Sequence, residues 1–160
     1  MKKHINLITI ILFFFTVISS SAQGKKDKGE TIFLKYAEEA LEVVAKGAET
    51  RSITGVAIVA YIPGDVTKSW TSKMRVVGSM IKGTSNLIAI AHSKAAEMAD
   101  TFQNSGGGIR EPLKGEFGYQ GGVIEKVEGG YVLAVFSGAT GEQDLAVSNE
   151  GLTFLVGKFK

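Results

Sequence analysis

The strongest constraint on this chain lies in its C-terminal third, Gly121 to Phe154, which reads GGVIEKVEGGYVLAVFSGATGEQDLAVSNEGLTF. Two β-branched runs, Val123–Val127 and Tyr131–Phe136, flank Glu128-Gly129-Gly130, a connection suited to a tight hairpin. Ser137-Gly138-Ala139-Thr140-Gly141 then breaks the second strand. Beyond it, Leu145, Ala146, Gly151 and Leu152 recur roughly at helical spacing, led by Glu142-Gln143-Asp144. Acidic residues suit a helix's first turn, where unpaired amides and the macrodipole favour negative charge. The order is hairpin, glycine turn, acid-led helix.

Upstream, Ile32, Phe33, Tyr36, Ala37, Ala40, Leu41, Val44 and Ala48 trace one face of a helix over residues 31–48. Gly55 to Ile62 is a nearly continuous apolar run ending at Pro63-Gly64-Asp65, which predicts a central strand followed by a turn. Val66 to Val77, carrying Trp70 and Met74, is predicted to return as a partly exposed second strand. Thr84-Ser85-Asn86 supplies capping residues for a second long helix, Leu87 to Gln103, in which Leu87, Ala91, Ala95, Met98 and Phe102 share a stripe. Ser105-Gly106-Gly107-Gly108 ends that helix, and the stretch to Gln120 reads as a long loop containing Pro112, a feature often tied to function. This order fits an α+β domain, an antiparallel sheet with helices packed against it, without repeats.

The N-terminus indicates where the protein works. Lys2-Lys3-His4, an apolar run from Ile5 to Ile18 and Ser19-Ser20-Ser21-Ala22 follow the plan of a secretory signal peptide. The run is shorter than the roughly 20 residues of a spanning helix, the competing reading being a retained anchor. Cleavage after Ala22 divides the chain into a leader (1–22), a polar linker (23–30) and one domain (31–160), exported to the periplasm or the exterior. With Lys2 and Lys3 in the leader, the acidic and basic residues of the remainder balance. A nucleic-acid partner normally needs a clustered basic face, and the one cluster left, Lys25-Lys26-Asp27-Lys28, reads as solvated linker. The absence of cysteine removes thiolate nucleophiles, sulfur-ligated metals, disulfides and lipoprotein acylation.

The C-terminal pattern resembles the GlcG/HbpS family of haem-binding or haem-degrading domains. Its residues are Gly121-Gly122-Val123, Ser137-Gly138 and Gly141-Glu142-Gln143-Asp144, with fainter support from Lys94-Ala95, Phe102 and Gly55-Val56-Ala57-Ile58-Val59. The resemblance spans roughly Ile32 to Leu155. It implies a profilin-like α/β sandwich, often oligomeric, and association with haem, corrinoid-related or organic-acid pathways. The chain departs from the family in Ile124, where proline commonly follows Gly-Gly-Val, and in Arg75-Val76-Val77-Gly78-Ser79-Met80 ahead of the central helix.

Two constellations carry candidate chemistry. His92 is the one histidine beyond the leader, and imidazole is a common axial ligand of haem iron. It sits one position past the Ala91 stripe, so the alternative is a partly exposed helix histidine. Tyr36, Tyr61, Tyr119, Tyr131, Met74, Met80 and Met98 are further iron-ligand candidates, each more often core or interface. A nucleophilic triad or two-histidine metal centre would have to be built around His92 alone, and no glycine segment completes a phosphate-binding motif.

The second constellation follows from the resemblance. If Lys94 on the central helix approaches Glu142 and Asp144 on the last, an ammonium, carboxylates and backbone amides form a polar pocket for a carboxylate or propionate. The alternative is a helix cap plus a structural salt bridge. Gly122 and Gly138 are expected to serve the backbone conformation. Three readings follow: a secreted haem-binding domain that sequesters or relays haem, a haem-degrading enzyme that releases iron, and a small-molecule or partner-binding sensory module. The first is preferred, with a homo-oligomer and a membrane sensor or receptor as expected partners.

Overall fold

Gly55–Pro63 (β1) is apolar on both sides because it is covered on both sides. The computed structural model describes residues 27–160, so the leader and residues 23–26 of the linker lie outside the described residues. Helix α1 (Lys28–Thr50) precedes β1, and strand β2 (Thr71–Val77) follows it. The two-residue strands β3 (Ile81–Lys82) and β4 (Ser85–Asn86) lead into α2 (Leu87–Thr101). Strands β5 (Gly122–Val127) and β6 (Gly130–Ser137) form the hairpin, and α3 (Gly141–Val156) follows. The main sheet is antiparallel in the order β2-β1-β6-β5, an α+β sandwich.

Strand alternation divides the core in two. Ala57, Val59 and Tyr61 of β1, with Val132, Ala134 and Phe136 of β6, meet Phe33, Ala37, Leu41 and Val44 of α1 and Val147, Leu152 and Leu155 of α3. Val56, Ile58, Ala60 and Ile62, with Leu133 and Val135, meet Leu87, Ala91, Ala95 and Met98 of α2 on the other face. Each fully buried aliphatic or phenyl side chain contributes roughly 1.5–3 kcal/mol. Gly151 lies against Val44, so the close crossing of α1 and α3 leaves no room for a β-carbon there.

The boundaries differ from expectation where side chains, not periodicity, decide them. Helix α1 begins at Lys28, which turns the end of the polar linker into helix. There the single O–H of Tyr61 is shared between the Asp27 carboxylate and the Gly129 carbonyl, tying the start of α1 to the hairpin turn. Strand β2 begins at Thr71, so residues 66–70 belong to the connection from β1. Asn86 caps α2 as anticipated, its Oδ1 accepting from the amides of Ile88 and Ala89. Helix α2 ends at Thr101, with Phe102 in the left-handed region at φ 53°. Among the described residues no helix is long and apolar enough to cross a membrane.

Candidate functional site

Where β6 ends, the chain must leave the sheet and start α3 within three residues. Thr140 caps that helix: its Oγ1 accepts from the Gln143 amide, and Gln143 Oε1 accepts from the Thr140 amide, a reciprocal capping box. One turn on, Asp144 points back into the protein. Its Oδ1 accepts from the Ala139 amide at 2.9 Å, which fixes the turn. Its Oδ2 accepts from Lys94 Nζ at 2.8 Å, and Lys94 also donates to the Phe136 carbonyl at 2.9 Å. The two side chains are 3% and 4% exposed, so this is a buried ion pair joining α2 to the end of β6 and the start of α3.

Burial lowers the Lys94 ammonium's affinity for its proton, and Asp144 opposes that shift through its charge and hydrogen bond. Removing one partner would strand the other charge without water, the circumstance in which buried pairs cost most. The backbone is shaped to the pair. Gly121 adopts φ 128°, and a β-carbon there would strike Lys94 Nζ. The Gly121 carbonyl meanwhile accepts from Ser148 Oγ at 2.7 Å and from the Phe136 amide at 3.2 Å.

A cleft of about 650 Å³ opens over this pair. Its polar end is made by Lys94, Asp144, Ser137, Gly138, Ala139 and Gly141, and its apolar wall by Leu87 and Ile90 of α2. Lys82 of the short β3–β4 hairpin closes one side and donates to the Gly138 carbonyl at 2.8 Å. Gly118, Tyr119 and Gln120 of the long loop close the other. The lining thus holds two ammonium groups against one carboxylate. An ammonium has three donors, and Lys94 has two partners among the described residues.

The loop wall is itself held by charge. Arg110 binds Glu116 through two nitrogens, at 2.7 and 2.9 Å, and Asp100 at 2.7 Å, linking the loop to the end of α2. Arg110 and the Leu113 amide hold the Glu116 carboxyl well below its usual range, at about 2. Glu97 of α2 accepts from the Gly106 amide through Oε1, and its buried Oε2 has no partner among the described residues.

The structure brings together Lys94 and Asp144 and leaves the other two sequence candidates outside. His92 is exposed on α2 and does not line the cleft. Two helical positions separate it from Lys94, or about 200° around the axis. Glu142 is exposed in the first turn of α3. Of the further iron-ligand candidates only Tyr119 lines the cleft, while Tyr61 and Met98 are sealed in the two cores. Among the described residues no group of three or more His, Asp or Glu side chains is arranged to hold a metal ion. Lys82 escaped the sequence reading because a two-residue strand has no periodicity; the Lys82-Gly83 pair before the α2 cap was its only trace. Compared with known proteins, the chain matches no family model and no curated sequence.

Proposed function

We propose that this chain is an exported binding domain for a small organic anion, whose carboxylate sits at the polar end of the cleft. The observation that carries this reading is the convergence of Lys82, buried Lys94 and the turn residues Ser137, Gly138, Ala139 and Gly141 on one opening. Leu87 and Ile90 offer the ligand's carbon skeleton an apolar wall. Lys94 and Asp144 neutralise each other, which suits a fixed binding wall better than proton transfer and favours binding over turnover.

Haem belongs to the same ligand chemistry through its propionates. The resemblance to GlcG/HbpS domains supports it, and Tyr119, not His92, is the iron-ligand candidate beside the cleft. Calorimetric titration with short mono- and dicarboxylic acids and with haem separates these sources. Saturable binding of an acid, lost when its carboxylate is converted to an amide and weakened in Lys82→Gln, is expected for the small-anion source. Haem binding that weakens in Lys82→Gln and is unchanged in His92→Ala would make haem the occupant of this cleft. No saturable binding of any of them overturns the reading.

A further inference from the structure

The charges that line the cleft are gathered at one end of it. Lys94 Nζ donates to the Phe136 carbonyl and Lys82 Nζ to the Gly138 carbonyl, so both ammonium groups are brought to backbone oxygens two residues apart. Two residues span at most about 7 Å, which places both cations at the turn between β6 and α3. Lys94 is matched there by Asp144 at 2.8 Å. No other lining side chain is a carboxylate or a basic group, so the lining carries one net positive charge.

Away from the turn the walls do not suit a second anion. Leu87 and Ile90 form the α2 side. On the loop side Gly106 lines the cleft, and its amide is held at 2.9 Å by the carboxylate of Glu97, a side chain on a residue only 9% exposed. The second oxygen of that carboxylate is buried and has no partner among the described residues. A buried carboxylate is poorly screened by water and repels a like charge placed nearby.

Granted the carboxylate site proposed above, we infer that its ligand is a monocarboxylate with an apolar tail, and that the cleft selects against dicarboxylates. One carboxylate at the turn completes the neutralisation of the lining while its tail lies on Ile90. A second carboxylate at the far end of the ligand meets aliphatic side chains or the field of Glu97, and loses hydration without gaining a cation. Ile90, half-buried on α2, is then a position that sets the preference, because a basic side chain there would supply the missing partner.

The test is calorimetric titration of the whole chain at about pH 7, where the carboxyl groups are ionised, with pentanoate, glutarate and the monomethyl ester of glutarate. The three share a five-carbon acid chain and differ at its far end. Pentanoate is expected to bind at least about fivefold more tightly than glutarate. The ester keeps the far oxygens without their charge and should fall within about threefold of pentanoate. In Ile90→Lys the preference should shift at least about fivefold towards glutarate. Glutarate binding as tightly as pentanoate to the wild type overturns the inference and leaves the carboxylate site standing, whereas binding of none of the three overturns both. An ester as weak as glutarate also overturns it, since size and not charge would then be excluded. A folded Ile90→Lys that keeps the wild-type preference does the same. Should circular dichroism show that variant unfolded, the wild-type comparison of the three ligands decides.

Discussion

Lys94 and His92 stand two residues apart on α2 and in opposite environments. Lys94 is sealed against the sheet, pairs its charge with Asp144 and forms part of the cleft wall, whereas His92 is exposed and does not line the cleft. Residue type pointed to histidine as the chemically interesting side chain. Helical phase puts Lys94, not His92, in the cleft wall, because Lys94 lies on the side of α2 that packs on the sheet with Leu87, Ala91, Ala95 and Met98. The difference shows that which side chain reaches the cleft is set by where its helix docks as much as by residue type.

The comparison breaks most visibly at the buried pair. Asp144→Ala strands the Lys94 ammonium and should cost about 3–5 kcal/mol of stability, measured by chemical denaturation. A loss below about 1 kcal/mol would mean that the pair is hydrated and not part of the core. Replacing both partners by apolar residues of similar volume, as Lys94→Met with Asp144→Leu, should recover much of that loss.

The next effect concerns the loop wall and is read in acid. The Glu116 carboxyl is held at about 2 against an ordinary 4.5, so its contribution is complete above 4.5 and is lost as pH falls from 4.5 towards 2. Hydrogen exchange across residues 105–120 should accelerate within that window, ahead of exchange in β1. Glu116→Gln should remove the pH step, and a step that persists in the variant would assign it to another carboxylate.

Smaller still is the effect of Lys82, which is exposed and lines the cleft without joining the core. Lys82→Gln should leave stability within about 0.5 kcal/mol while weakening carboxylate binding by about 1 kcal/mol, roughly fivefold. The smallest effect belongs to the other term of the comparison. His92→Ala should change stability by no more than about 0.5 kcal/mol and leave ligand titrations superimposable on wild type. A large loss of haem affinity in His92→Ala would place the ligand on the outer face of α2.

Much of the fold was legible in the sequence because its signals are local. The unbroken apolar run of β1 marks a strand covered on both faces, Glu128-Gly129 sets the β5–β6 register through Gly129 at φ 88°, and Asn86 and Glu142–Asp144 mark the two helix starts. The site was legible only in part. Lys94 and Asp144 could be grouped through a family resemblance, but their contact spans 50 positions and depends on α2 and α3 meeting the same sheet end. Lys82 was hidden because it is held by one side-chain bond, to Gly138; the long loop was legible as a loop, but the Arg110 ion pairs that fix it as a wall leave no period in the sequence.

The most direct measurement is amide chemical-shift mapping of the protein titrated with the tightest-binding carboxylate. Saturable shifts concentrated at residues 137–144 and around Lys82, absent when the amide analogue of the same acid is added, are the expected result. Shifts centred on the exposed face of α2 around His92, or none at saturating acid, would contradict the account.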